Sequence, residues 1–267
     1  MTTIIDIRFN NIKSFPIEKQ YENIKKIKLL CKGITSFSWE NCPVGIEDID
    51  SSSNGLEFFS WKDCPKSLEN INLSHNNLTF FSWNGCPDGI VKIDISGNYL
   101  SSFSWKGCPE KLETIYIMYN TLSSFSWEYC PKGLKKIYLC FNNISSFSWK
   151  DCPGSLETIY INENCLENFS WQGCPEGLET IFLNSNFLSN FSWKGCPLNL
   201  QECYGYQKQL EEYNSSKEYR LRVGKRNQKI SDMITSINLI SSEIPVLKKF
   251  ACRDYYKIIK DFETFCL

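Results

Sequence analysis

The chain holds a single histidine, His75, and three methionines in 267 residues. One imidazole cannot furnish recurring Cys₂His₂ metal sites, and it leaves a histidine-dependent nucleophilic centre one place to stand. There is no glycine-rich phosphate loop. No stretch of about 18 apolar residues occurs, which excludes a membrane-spanning helix from the expectation. Met1 to Ile12 lacks a basic segment followed by an apolar run and does not read as a secretory signal. A prenylation box needs cysteine fourth from the end, where Thr264 stands. Net charge is also nearly absent: 29 basic against 30 acidic residues give −1, so nothing draws the chain generally to nucleic acid or to a membrane surface. A cytoplasmic, non-secreted protein is expected.

Aromatic residues are plentiful, with 18 Phe, 13 Tyr and 8 Trp making up 15% of the chain. Fourteen cysteines suggest a disulfide scaffold until their spacing is read; without a secretory signal they are read as reduced thiols. Asn-x-Ser/Thr triplets at Asn72, Asn77, Asn143, Asn168, Asn190 and Asn214 carry little weight, because Ser- and Asn-rich repeats generate them by composition.

The repeat dominates everything else. Trp39, Trp61, Trp83, Trp105, Trp127, Trp149, Trp171 and Trp193 stand 22 residues apart without exception, and a Cys-Pro pair follows each at fixed distance, from Cys42-Pro43 to Cys196-Pro197. So strict a period means a solenoid or array. Residues 112–133 show the unit: Leu112, Ile115, Ile117, Asn120, Leu122, Phe125, Trp127, Cys130 and Pro131. Its first half, Leu-x-x-Ile-x-Leu-x-x-Asn-x-Leu, resembles the leucine-rich-repeat core. The Cys-Pro-x-x-Leu turn resembles the Leu-Pro-x-x-Leu pattern of bacterial effectors. The 22-residue unit is similar to the Phe-Asn-Ile-Pro repeats of social amoebae and their giant viruses. The Phe-Ser-Trp-x-x-Cys-Pro block departs from both. The likeness to giant-virus proteins implies a viral protein working in host cytoplasm.

Degenerate copies extend the array. Upstream, Ile5, Ile7, Asn10, Ile12 and Phe15 fill the register, then Ile24, Ile27, Leu29, Ile34 and Phe37 with Lys32 in the Asn slot. Downstream, Leu200, Cys203 and Leu210 keep it, while Gly205 and Lys208 break the core. End units must face water, so their degeneracy is expected. The resulting expectation is an α/β-type solenoid, mostly β: a leucine-rich-repeat parallel-sheet horseshoe of about nine repeats and a decaying tenth over residues 1–206. A short helical C-terminal cap follows over 207–267. Twenty-two residues leave no room for a helix on the convex side of each repeat, so extended or 3₁₀-like segments are expected there.

Alternation around Ile115 and Ile117 reads as a short strand with those side chains inward. The Asn column, Asn54 to Asn186, should satisfy backbone groups where the chain leaves each strand. The Phe column, Phe37 to Phe191, should fill the interior with stacked rings. The Cys column presents a line rather than four converging ligands, so its members read as small buried hydrophobes.

The outward slot between the core Ile and Leu reads Asp50, Asn72, Asp94, then Tyr116, Tyr138, Tyr160, Phe182, Tyr204; Met118, Tyr119, Cys140 and Phe141 lie beside it. An aromatic stripe with a polar rim is how protein interfaces are commonly built. Tyr116, Met118, Tyr119, Tyr138, Phe141, Tyr160, Phe182 and Tyr204 are therefore the candidate partner-binding residues on the concave face. Truncating Tyr138 and Tyr160 is expected to remove binding with little loss of stability. The competing reading is a self-stacking ladder.

Beyond the repeats, Ile230, Met233, Ile234 and Ile237 have helical spacing. So do Leu247, Phe250, Ala251, Tyr255, Ile258, Ile259, Phe262 and Phe265 after a start at Ser242 and Pro245. The basic run Arg220, Arg222, Lys225, Arg226 and Lys229 reads as a solvated segment. Cys252-Arg253-Asp254 matches the Cys-x-Asp of bacterial leucine-rich-repeat ubiquitin ligases over three residues, with too little chain left for such a ligase domain. No convergent titratable pocket is legible. The expected function is a non-catalytic protein–protein interaction module. It should have a protein partner, no cofactor, no metal, no nucleic acid, no membrane and no small-molecule substrate. The alternatives are a structural or virion component, and a substrate adaptor for a ubiquitin ligase acting through the C-terminal helices.

Overall fold

Wherever the repeat reads apolar–x–apolar, alternation turns the middle residue to the opposite side of the chain, and a three-residue strand results. The computed structural model describes residues 4–7, 24–29, 34–189, 191–215, 222–226 and 228–229. Its strands are β1 (Ile4–Ile7), β2 (Lys26–Leu29), β3 (Asp48–Asp50), β4 (Asn70–Asn72), β5 (Lys92–Asp94), β6 (Thr114–Tyr116), β7 (Lys136–Tyr138), β8 (Thr158–Tyr160), β9 (Thr180–Phe182) and β10 (Glu202–Tyr204). They form one parallel sheet in sequence order, each residue paired with its equivalent one repeat on, as in Ile93↔Ile115↔Ile137. Every middle residue from Ile27 to Cys203 is at most 3% exposed. Among the described residues from Asp48 to Tyr204 there is no helix, as the short repeat requires.

The Asn column does what its chemistry allows. Asn120 Nδ2 donates to the carbonyls of Ile95 (3.1 Å), Ile117 (3.2 Å) and Met118 (3.2 Å), and its Oδ1 accepts the amide of Leu100 at 3.0 Å. Asn76, Asn98, Asn142 and Asn164 repeat this set, so each Asn ties its own turn to the preceding repeat. A column of buried amides with this bonding avoids the desolvation cost that would otherwise oppose it.

The aromatic interior differs from the expectation. Trp39 to Trp171 are 1–4% exposed, whereas the Phe column is buried only at Phe81 and Phe169 and half-buried elsewhere. Tryptophan, the larger ring, takes the centre. Phe packs against it edge-on within a repeat (Phe125–Trp127 centroids 4.8 Å, 89°), while Trp stacks on Trp between repeats (Trp127–Trp149 6.4 Å, 11°). The indole N–H also needs an acceptor. Trp61 Nε1 donates to Ser82 O (2.9 Å), and Trp105 Nε1 to Ser126 O (2.9 Å). The serine of Phe-Ser-Trp has a second task, its hydroxyl accepting the amide two residues on, as Ser104 Oγ does from Lys106 at 3.3 Å.

Two columns of left-handed backbone recur. One precedes the Asn column and holds Ser53, His75, Gly97, Tyr119, Phe141, Glu163 and Ser185, with φ from 52° to 62°. The other precedes the cysteine: Asn41, Asp63, Gly85, Gly107, Tyr129, Asp151, Gly173 and Gly195, with φ from 61° to 88°. Gly, Asn and Asp fit that conformation best. In the column before the cysteine Tyr129 is the departure, bulky and 66% exposed at φ 64°. Replacing Tyr129 by Gly is expected to raise stability by about 1 kcal/mol, read as a higher urea midpoint, because the strain disappears and little packing is lost.

The chain divides into two compact units, Met1–Leu210 and Glu211–Leu267. Helix α1 spans Gln207–Asn214. In the second unit, residues 222–226 and 228–229 are helical, and Arg222 Nη1 donates to the Tyr213 hydroxyl at 2.8 Å. The segments from Ile230 to Phe265, the Cys252-Arg253-Asp254 triplet, Asn10, Ile12, Phe15 and Lys32 lie outside the described residues.

Candidate partner-binding face

Because the strands are in register at about 4.8 Å, identical outward positions become columns. In β6 to β10 the third-residue column is a continuous ring stack. Tyr116–Tyr138, Tyr138–Tyr160, Tyr160–Phe182 and Phe182–Tyr204 have centroid separations of 4.2, 4.4, 4.0 and 3.9 Å and interplanar angles between 3° and 17°. Stacking runs along the hydrogen-bonding direction of the sheet, so the rings stand on edge and offer their rims and hydroxyls outward. A ring face is presented only at the ends. Lys92 Nζ lies 5.0 Å over the Tyr116 ring at one end. At the other, Tyr204 is 42% exposed.

The left-handed column supplies a second rail, with Tyr119 and Phe141 stacked at 4.3 Å and 10°. They are 52% and 40% exposed, a consequence of positive φ turning the side chain out of the turn. Between the rails lie half-buried Met118 and buried Cys140. All eight residues selected from the sequence thus fall on one face of the sheet, seven in β6 to β9 and the turns after β6 and β7, and Tyr204 in β10. Tyr116, Tyr138, Tyr160 and Phe182 are half-buried by their neighbours rather than fully presented. Burial is also the leading reason that the Tyr138 and Tyr160 phenols are raised above their ordinary value, followed by Tyr116 beside the first and Tyr138 beside the second. This stacking revises one expectation: truncating Tyr138 and Tyr160 removes three ring contacts, which lowers stability by about 2 kcal/mol.

The polar half of the same column is engaged with its own backbone. Asp50, Asn72 and Asp94 each accept, through Oδ1, the amide two residues on, at 3.0, 2.9 and 2.9 Å. These Asx turns stabilise the strand exit. A shallow depression of about 350 Å³ lies over Asp48, Asp50, Asn70, Asn72, Lys92 and Asp94. Among the described residues no three His, Cys, Asp or Glu side chains are placed to hold a metal ion, and no helix is long and apolar enough to cross a membrane.

No family model matches the chain, and no curated protein matches its sequence. Solved structures do. The crystal structure of a TLR13–ssRNA13 complex superposes with a TM-score of 0.56 at 17% identity, over 68% of this chain and 28% of that one. In-register parallel strands, the Asn ladder and this superposition together decide the architecture. The fold is a leucine-rich-repeat solenoid. Other leucine-rich-repeat structures also align: YopM from Yersinia enterocolitica WA-314, with TM-score 0.48 and 21% identity over 68% of this chain and 42% of that one, and a Shigella effector leucine-rich-repeat domain, with TM-score 0.43 and 19% identity over 55% and 63%. The chain spans less than two thirds of each of these proteins.

Within this leucine-rich-repeat solenoid the cysteine column is half-buried from Cys42 to Cys174, less enclosed than the sequence suggested, because it sits in the turn, where from Cys64 onward each thiol is directed to the following Pro carbonyl, as Cys108 Sγ is at 3.8 Å. Burial raises every one of these thiols, Cys42 from 9.0 to about 12. A thiol whose folded value is raised adds stability that is whole below its unfolded value and lost as pH rises through the folded one. Urea midpoints are therefore expected to be level from pH 6 to pH 8 and to fall steadily above about pH 9. A Cys86→Ser/Cys108→Ser/Cys130→Ser variant should show a shallower alkaline fall. An identical pH profile would show that the column does not titrate as its burial implies.

Proposed function

We propose that this protein is a non-catalytic protein–protein interaction module that binds a protein partner on the outward face of its sheet, through Tyr116, Met118, Tyr119, Tyr138, Phe141, Tyr160, Phe182 and Tyr204. The observation that carries the reading is the two-rail aromatic surface. Its shorter rail, Tyr119 and Phe141, is held outward by left-handed backbone, a conformation that costs about 1–2 kcal/mol for each such residue and adds nothing to the core. Exposed and half-buried Tyr, Phe and Met in one contiguous strip are the side chains that anchor protein interfaces. The leucine-rich-repeat architecture supports the same reading, since such solenoids present long regular surfaces for recognition.

The close stacking of Tyr116 through Tyr204 favours a second reading, in which the longer rail is a stabilising ladder without a ligand. A pull-down read by mass spectrometry separates the two, using wild type, a Tyr116→Ala/Tyr138→Ala/Tyr160→Ala variant and a Tyr119→Ser/Phe141→Ser variant. The second variant leaves the long stack whole. A protein captured by wild type and lost by both variants is the expected result. Identical capture by all three folded proteins would leave the ladder alone standing.

A further inference from the structure

Charges on the two halves of the outward face are arranged differently. Toward the N-terminus acids and bases are mixed: Lys25–Glu47 at 2.6 Å, Lys26–Asp48 at 2.7 Å and Lys28–Asp50 at 3.5 Å pair across strands, and Lys92 stands on the face that also carries Glu69 and Asp94. Lys135 pairs with Glu113 at 3.0 Å in the middle. Past Lys136 the alternation of sign ends. The repeats of β8, β9 and β10 carry Glu157, Glu163, Glu179 and Glu202 on the strands and the positions flanking them, with no Lys or Arg there. Among the described residues none of these four carboxylates has an ion-pair partner. Thr158 pairs with Thr180 in the sheet, which sets Glu157 opposite Glu179, like charges one strand spacing apart. Such an arrangement opposes folding of the isolated chain and favours any cation that joins it.

The ring stack has the same asymmetry. Its first ring, Tyr116, is already covered by a cation, Lys92. Its last, Tyr204, stacks on Phe182 at 3.9 Å on one face, belongs to the last described strand, and has Glu202 on the same side of that strand. No described cation covers it. The nearby Glu202 charge is the leading reason that the Tyr204 phenol is raised above its ordinary value.

We infer that the occupant of the aromatic face between Tyr138 and Tyr204 is a basic, extended peptide segment of the partner, with Arg or Lys side chains reaching Glu157 and Glu179 on one rim and Glu163 on the other, and one cation lying over Tyr204 beside Glu202. This rests on the interface reading above and adds the chemistry of the partner. Arginine suits it best, because a guanidinium both stacks on an aromatic face and pairs with a carboxylate. A polyanion such as single-stranded nucleic acid is repelled by the same four carboxylates.

The test is selection of a displayed library of random twelve-residue peptides on the full chain, followed by titration of the winners as synthetic peptides. Wild type is compared with a Glu157→Gln/Glu163→Gln/Glu179→Gln/Glu202→Gln variant and with Tyr160→Ala, all three checked for folding by circular dichroism. Peptides rich in Arg and Lys are expected, binding wild type about tenfold more tightly than the glutamine variant and weakening several-fold between about 50 and 300 mM salt. Winners that are neutral or acidic, or basic winners that bind the glutamine variant equally, would overturn the inference. If those same winners still lose affinity on Tyr160→Ala, the interface reading survives without it. No enrichment of any peptide, with Tyr160→Ala indistinguishable from wild type, sinks both.

Discussion

Asn120→Ala is expected to lower unfolding free energy by roughly 3 kcal/mol, measured by urea denaturation. The partners decide the size. The carbonyls of Ile95 and Ile117 each keep another donor, Asn98 and Asn142 respectively, so their loss is partial. The Leu100 amide has only Asn120 Oδ1, at 3.0 Å and out of solvent. That orphaned N–H and the small void left behind carry most of the loss. Asn120→Asp separates donor from acceptor. It keeps an oxygen for Leu100 but sets a carboxylate against three carbonyls, and it should destabilise at least as much at neutral pH. A drop under about 1 kcal/mol for Asn120→Ala would mean that the ladder tolerates a missing rung.

Trp105→Ala should be costlier, about 3–5 kcal/mol, or on the order of 10 °C in thermal midpoint for a chain of this size. Trp105 is 1% exposed, stands edge-on to Phe103 at 4.8 Å and to Phe125 at 6.2 Å, and holds the Ser126 carbonyl of the next repeat. The substitution therefore damages its own repeat and the contact to its neighbour, and in a solenoid stability is nearly the sum of those two kinds of contribution. Trp105→Phe keeps one ring and loses the N–H; a loss of about 1–2 kcal/mol is expected. Equal losses for the two variants would show that the indole hydrogen bond, and not ring volume, governs the column.

Much of the fold was legible because the repeat makes one local decision many times. Ile115 and Ile117 alternate with Tyr116, Asn120 follows three residues later, and the same spacing holds at every turn, so period 2 for the strand and period 22 for the stack could both be read. The outward column Tyr116 to Tyr204 was legible for the same reason. Other features were hidden. The Phe column was expected to fill the interior, and nothing in the spacing of Phe125 and Trp127 says that Trp takes the centre and Phe the margin. Tyr119 and Phe141 were recognised as neighbours of the stripe, but their exposure follows from a left-handed turn, which Ser53 and His75 share without resembling them. Alternation places Asp50 and Asp94 in the outward column, but nothing in that spacing shows that each accepts the amide two residues on, from Ser52 and Ser96.

The sequence by itself determined that the chain is a parallel solenoid, which residues form each column, and which columns face outward, because these follow from periodicity and from the two sides of a strand. Only the tertiary structure decided how members of a column meet. Whether neighbouring rings stack at 4 Å, whether a carboxylate turns to a lysine, an amide or open solvent, and which ring is left uncapped at the end all depend on distances between residues 22 apart. Those distances are set by strand pairing and by the packing of the interior beneath, and no single repeat contains them.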